Sequence, residues 1–136
     1  MILYLETSNL VKLYVKETDS EAVFESVRAA DFVATSVLAY AEARAAFARK
    51  RREKGISGKS LERIKSALDR DWTSFFVLNV NLVFARQAGN LAEKHGLRGF
   101  DALHLASAVE LRAAGAGDVV FSTADIRLAE AAGREG

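Results

Sequence analysis

The 136-residue sequence contains no cysteine and no proline. Without cysteine, disulfide scaffolds, cysteine-ligated zinc sites and thiol nucleophiles are all excluded. No stretch reaches the about 20 apolar residues of a membrane span, and the N-terminus lacks the basic region and apolar core of a secretion signal. We therefore expect a cytoplasmic protein whose chemistry uses hydroxyl groups, carboxylates or water.

The charge is unevenly distributed along a chain of ordinary globular composition. Half of the residues are hydrophobic, 27% are charged and the formal net charge is +1, which predicts one domain over residues 1–136. Residues 44–65 contain nine Lys or Arg and two Glu, so this segment carries +7 and the remainder carries −6. The sequence therefore predicts a basic segment on an acidic body.

Short apolar runs alternate with helical patterns along the whole chain. Strands are predicted at residues 2–5, 32–35, 76–80 and 119–122. The helical patterns cover residues 8–15, 20–30, 36–54, 60–72, 81–95, 100–114 and 124–132. Glycines at 55, 96, 115 and 133 are predicted to end four of these helices. The alternation favours an α/β fold with a parallel sheet.

Four acidic residues occupy positions where chemistry is common in α/β folds. Glu6 and Asp125 follow predicted strands, Asp101 begins a helix, and Glu42 lies in an alanine-rich helix. Each alone also fits a structural role, as a helix cap, a first-turn acid or a solvated or paired charge. Taken together, clustered carboxylates are how proteins bind Mg²⁺ or Mn²⁺, and such a metal promotes hydrolysis of phosphodiesters.

Hydroxyl groups and two histidines accompany these acids. Thr7, Ser8 and Thr123 lie beside acidic residues and fit either a site or helix caps. His95 ends a helix and His104 follows Asp101 by one turn; structural roles are favoured for both, with a peripheral site contact as the alternative for His104. No glycine-rich phosphate loop, dinucleotide fingerprint or Gly-x-Ser-x-Gly elbow is present.

Four segments, taken together and in this order, resemble PIN-domain ribonucleases and most of all the VapC toxins of toxin–antitoxin pairs. They are ILYLETSNLVKLY (2–14), AEARAAF (41–47), FDALHLASA (100–108) and FSTADIRLA (121–129). The resemblance implies a three-layer α/β/α sandwich around a parallel sheet of four or five strands. It also implies Mg²⁺- or Mn²⁺-dependent cleavage of single-stranded RNA, a homodimer and a VapB-like antitoxin partner.

Site residues follow from the matching positions. The resemblance implies that Glu6, Glu42, Asp101 and Asp125 are catalytic, that Glu6, Asp101 and Asp125 bind the metal, and that Thr7, Ser8 and Thr123 support them. The family usually has Asp where this chain has Glu6. The alternative is therefore a catalytically weak PIN-like module that binds protein or RNA without cutting.

Two surfaces are candidates for macromolecular contacts. Basic side chains at the end of the third predicted helix are expected to contact RNA phosphates, with a solvated helix end as the alternative: Arg49, Lys50, Arg51, Arg52 and Lys54. Apolar residues of the first helices are expected to form a surface that a partner covers: Leu10, Leu13, Tyr14, Val23, Phe24 and Val27. Trp72, Phe75 and Phe76 are assigned to core packing in preference to base stacking.

Overall fold

A parallel β-sheet forms the centre of the computed structural model, which describes residues 1–115 and 117–136. Its strands are β1 (Ile2–Leu5), β2 (Phe32–Ser36), β3 (Phe76–Leu78) and β4 (Val119–Ser122). They lie in the order β3-β2-β1-β4, and each neighbouring pair is parallel. The sheet of the described residues therefore has four strands, and its third strand ends two residues before the predicted boundary.

Helices occupy the predicted segments, with changes at their ends. They are α1 (Thr7–Leu10), α2 (Ser20–Ala29), α3 (Val37–Lys54), α4 (Gly58–Trp72), α5 (Leu82–His95), α6 (Gly99–Ala113) and α7 (Ile126–Glu135). The helix predicted over 8–15 is wrong in extent, because α1 gives way to a 3₁₀ turn at Val11–Leu13. In the described part of the chain, no helix is long and apolar enough to cross a membrane.

Glycine follows the end of three helices as predicted, at Gly55, Gly96 and Gly115, the last with φ of 79° after α6, and fails to end a fourth. Gly55 and Gly96 cap α3 and α5 in the left-handed conformation, with φ of 70° and 66°, which is readily accessible only to glycine. Gly133 lies inside α7, which continues to Glu135. A glycine inside a helix costs only about 1 kcal/mol relative to alanine, so neighbouring contacts can override it.

Alternate residues of β1 pack against helices on opposite faces of the sheet. Leu3 and Leu5 join a core cluster with residues of α1, α2, α3 and α4. Ile2 and Tyr4 pack on the other face with Ala108 of α6, and α7 packs against α5 and α6 in a further cluster on that side. The predicted α/β/α sandwich is confirmed.

The apolar residues of the first helices largely belong to this core. Leu10 and Val23 are buried, while Leu13, Tyr14 and Val27 are half-buried and pack against the first cluster. Phe24 is half-buried. Four of the six residues thus keep part of their surface exposed, and coverage of that surface by a partner stays a prediction.

The strand order creates a crevice between β1 and β4. From β1 the chain moves to β2 and β3 on one side, and later returns to add β4 on the other side. In open parallel sheets, ligands bind where the order reverses in this way, outside the carboxyl ends of the strands. Glu6 follows β1 at this edge and Thr123 follows β4.

Candidate active site

Glu6 is a buried carboxylate that is fully engaged with nearby donors. Its side chain caps α1 by accepting a hydrogen bond from the backbone N–H of Ser8, at 3.2 Å. Its Oε1 atom accepts from the hydroxyls of Ser8 and Thr123, each at 2.6 Å. Charge-assisted bonds of this length are among the stronger hydrogen bonds in proteins. Glu6 therefore joins the end of β1 to the end of β4.

The hydroxyls of Ser8 and Thr123 connect the two loops further. Ser8 Oγ accepts from the backbone N–H of Ala124 at 2.9 Å, and Thr123 Oγ1 accepts from that of Asp125 at 3.1 Å. The two hydroxyl oxygens are 3.3 Å apart. Two of the three predicted supporting hydroxyls therefore lie in the crevice beside Glu6, and both also satisfy backbone groups.

Asp125 and Asp101 lie near the starts of two helices at the same edge. Asp125 is exposed and caps α7, since its Oδ1 atom accepts from the backbone N–H of Leu128 at 3.1 Å. Asp101 is half-buried in the first turn of α6. Burial is the largest cause that raises the pKa of Asp101, followed by the negative charges of Glu6 and Asp125.

The pKa of Asp101 thus responds to the negative charges around the crevice. Glu42 also raises its pKa, and His104 acts in the opposite direction. Like charges shift a pKa in this way only when they lie within interaction range across a medium that screens poorly. The structure places the four sequence-predicted acids at one edge of the sheet, where Glu6, Glu42 and Asp125 all act on Asp101.

Glu42 receives two hydrogen bonds on the same oxygen. In α3, its Oε1 atom accepts from Thr7 Oγ1 at 2.6 Å and lies 2.7 Å from Nε2 of His104. Burial acts to raise the pKa of Glu42, but the hydrogen bonds from His104 and Thr7 outweigh it and hold this pKa below its ordinary value. Glu42 therefore remains a carboxylate at neutral pH, as a site for a cation requires.

His104 contacts the candidate site directly, although the sequence favours a structural role for it. It is completely buried in α6, with its Nδ1 atom 2.8 Å from the hydroxyl of Tyr4. Its position one turn after Asp101 is the signal that indicated a peripheral contact. Tyr4 was not singled out, because its apolar neighbours in β1 make it look like an ordinary core residue.

The acids are not prearranged as a complete metal centre. Within residues 1–115 and 117–136, no group of three or more Asp, Glu or His side chains is arranged to hold a metal ion. The hydrogen bonds explain this, since Glu6 is directed at hydroxyls and Asp125 at the N-terminus of α7. The four carboxylates lie at the same edge of the sheet. Glu6, Glu42 and Asp125 nevertheless accept hydrogen bonds from different donors.

The five basic residues predicted to bind RNA lie in α3, further along this helix than Glu42. At 1.5 Å per residue, Arg49 is about 10 Å and Lys54 about 18 Å further along the helix axis than Glu42. Lys50 forms a 2.6 Å ion pair with Glu17, and Arg51 donates to a backbone carbonyl oxygen. Arg49, Arg52 and Lys54 are exposed. The structure therefore separates these five residues from the carboxylates, and two of them have intramolecular partners.

Comparison with known proteins identifies relatives over almost the whole chain. The family model of the PIN domain matches residues 3–134. Ribonuclease VapC45 of Mycobacterium tuberculosis is 35% identical over 131 residues, covering 93% of this chain and 86% of that protein. The family model spans the four segments that carry the resemblance, apart from Ile2.

Solved structures share the fold at lower sequence identity. VapBC2 from Rickettsia felis, bound to a DNA fragment from their promoter, matches with a TM-score of 0.63 and 20% identity over 93% of this chain and 89% of that chain. VapC20 of Mycobacterium tuberculosis, a Sarcin-Ricin loop cleaving toxin, matches with a TM-score of 0.63 and 18% identity over 90% and 91%.

Proposed function

Because this chain belongs to the PIN-domain family, we propose that it is a metal-dependent endoribonuclease that cleaves single-stranded RNA. One observation carries the proposal: Glu6 and Thr123 join the ends of β1 and β4, and beside them the pKa of Asp101 is raised by burial and then by the negative charges of Glu6, Asp125 and Glu42. Three negative charges act on a fourth there. A hard divalent cation is the ligand that such oxygen donors prefer.

The residues present fit Mg²⁺ or Mn²⁺ in their chemistry. Asp101, Glu6 and Asp125 are proposed to hold the ion, and Glu42 adds a fourth negative charge nearby. The ion would supply charge neutralisation of the phosphodiester and a bound water of lowered pKa. Since Glu6 and Asp125 accept hydrogen bonds from other groups, binding requires competition with those donors.

RNA is the proposed substrate, and the exposed basic residues of α3 are proposed to bind its phosphates. Arg49, Arg52 and Lys54 are exposed, and electrostatic contacts of this kind dominate affinity for nucleic acids. Lys50 and Arg51 belong to the same proposed surface, although each also has an intramolecular partner. The name of the 35% identical relative, a ribonuclease, supports this substrate class.

The chain is further proposed to act in the cytoplasm as the toxin of a toxin–antitoxin pair, as a single domain and a homodimer. Its relatives include a VapC ribonuclease and a protein described as a toxin, and the VapBC2 structure supports a VapB-like antitoxin as the partner. Growth arrest on expression, relieved by co-expression of the antitoxin, would test the partner. Analytical ultracentrifugation of the purified chain would test the dimer.

Incubation of the purified protein with single-stranded RNA tests the nuclease. We expect cleavage with Mg²⁺ or Mn²⁺, no cleavage with a chelator, and no cleavage by Asp101→Asn. The engagement of Glu6 with Ser8 and Thr123 favours the alternative of a weak module that binds without cutting. Absence of cleavage with either metal, together with retained RNA binding, would support that alternative and reject the nuclease.

A further inference from the structure

A continuous hydrogen-bond chain leads from the core of the protein to Glu42. The hydroxyl of Tyr4 lies 2.8 Å from Nδ1 of His104, and Nε2 of His104 lies 2.7 Å from Oε1 of Glu42. Thr7 Oγ1 donates to the same Oε1 atom at 2.6 Å and is 3.2 Å from Nε2. Four residues from β1, α1, α3 and α6 therefore form one hydrogen-bonded network, in which Thr7 and His104 contact Oε1 of Glu42 directly.

The available hydrogen atoms assign a direction to this chain. The Glu42 carboxylate only accepts, so Nε2 of His104 carries a hydrogen and donates it. In the neutral form of His104, Nδ1 then has a lone pair for the hydroxyl of Tyr4, which burial keeps protonated by raising its pKa far above the ordinary value. Tyr4 therefore donates to Nδ1 of His104, and Nε2 of His104 donates to Glu42. The hydrogen bond at Nδ1 fixes the tautomer, that is, which ring nitrogen carries the hydrogen.

Both donors reach Oε1, and among the described residues no protein donor reaches Oε2 of Glu42. The Glu42 side chain is 31% exposed while that of His104 is 1% exposed. Thr7, which donates to Oε1, directly follows Glu6 in the chain, so Glu42 lies beside the acids at the end of β1. Oε1 of Glu42 is thus held by Thr7 and His104, and Oε2 is available to the crevice.

We propose that His104 is a positioning residue, which with Tyr4 holds Oε1 of Glu42 and so presents Oε2 to the acidic crevice. The inference rests on the proposed nuclease for its effect on catalysis. It gives a physical reason for a completely buried histidine beside an acidic crevice, because a core residue that only filled space would need no donor toward Glu42. Residues that orient such ligands affect function without touching the substrate.

The tautomer of His104 can be measured without any activity. In the metal-free protein labelled with ¹⁵N-histidine, we expect His104 to be protonated at Nε2 with an unprotonated Nδ1, and Tyr4→Phe to change the Nδ1 shift in particular. His95, whose Nε2 atom contacts Glu135, serves as the internal reference. A His104 protonated at Nδ1 and not at Nε2 would overturn the assignment.

Two substitutions separate positioning from packing. In His104→Gln, the amide NH₂ occupies the place of Nε2 and still reaches Glu42. In His104→Asn, the shorter amide occupies the place of Nδ1 and reaches only toward Tyr4. We expect His104→Gln to retain most of the turnover, and His104→Asn to lower kcat by about tenfold or more with little change in KM. Equal losses in both variants, matched by equal losses of thermal stability, would reduce His104 to a core residue.

Thr7→Val gives a second route if His104 variants fail to fold, since it removes the other donor to Oε1 while conserving volume. A lower kcat with an unchanged His104 tautomer supports the positioning of Glu42, and an unchanged kcat overturns it. The two proposals fail in different ways. Lack of RNA cleavage by the wild type rejects the nuclease, while the NMR result still decides whether Tyr4 and His104 hold Glu42.

Discussion

The hydroxyl of Thr123 donates a 2.6 Å hydrogen bond to Oε1 of Glu6, which connects the residue after β4 to the residue after β1. Ser8 donates to the same oxygen at 2.6 Å. The two hydroxyls therefore fit the length of glutamate at this position. A side chain shorter by one methylene would withdraw the carboxylate from both hydroxyls.

We accordingly expect Glu6→Asp to lower metal-dependent RNA cleavage, by about tenfold if the two hydroxyls orient the carboxylate as other outer-shell partners do. Initial rates across a series of Mg²⁺ concentrations measure this effect. Thr123→Ser, which keeps the hydroxyl, and Thr123→Val, which loses it, form the matched control. Faster cleavage by Glu6→Asp would contradict this expectation and indicate that aspartate restores a better metal geometry.

Asp101→Asn is expected to abolish RNA cleavage while leaving the protein folded and slightly more stable. The amide keeps the shape but removes the charge on which Glu6, Glu42 and Asp125 act. Since Asp101 is partly exposed, the gain in the free energy of unfolding is expected to be below about 1 kcal/mol at neutral pH. Asp118→Asn, at an exposed acid at the start of β4, is the control. A destabilised Asp101→Asn would contradict the repulsion.

The pH dependence of this gain has a definite sign. Because the pKa of Asp101 is raised in the folded protein, the folded state binds the proton more tightly than the unfolded chain does. This group therefore lowers the free energy of unfolding as pH rises from the ordinary Asp pKa through the raised folded value. Urea unfolding of both proteins is expected to show equal stabilities below that window, and a more stable Asp101→Asn above it.

Metal binding is expected to raise the melting temperature of the wild type more than that of Asp101→Asn. A ligand that binds only the folded state stabilises it by about 2.7 kcal/mol at a hundred times its Kd. Thermal unfolding with Mg²⁺, Mn²⁺ or a chelator measures the shift. Identical shifts in both proteins would place the ion elsewhere.

Removal of the exposed basic side chains of α3 is expected to weaken RNA binding without changing the fold. The triple variant of Arg49, Arg52 and Lys54 to alanine removes up to three phosphate contacts. The negative slope of log K against log salt for single-stranded RNA therefore becomes shallower by about 2. Arg28→Ala, at an exposed cation of α2, is the control. An unchanged slope would assign these residues to a solvated helix end.

Much of the fold was predictable from the sequence because local patterns reflect burial. The apolar run at Ile2–Leu5 becomes β1 with every residue buried, and the glycines after α3 and α5 adopt the left-handed conformation that ends helices. Gly133 did not end α7. Packing of α7 against α5 and α6 outweighed the local preference of one residue there.

Trp72 and Phe75 pack against the core as predicted, whereas Phe76 is exposed. Phe75 immediately precedes β3, and Phe76 is the first residue of that strand. A three-residue strand is too short for periodicity to show which of the two is buried. β3 lies at one edge of the sheet beside β2.

The sequence by itself determined the α/β class and the parallel sheet and singled out four acids as candidates, because periodicity, glycine positions and residue chemistry are local properties of the chain. Only the tertiary structure brought Glu6 to Thr123, and Glu42 to Thr7 and His104. These partners are separated by 35 to 117 positions along the chain. Contacts at such separations depend on the strand order and on helix packing, which place residues in three dimensions that no local pattern encodes.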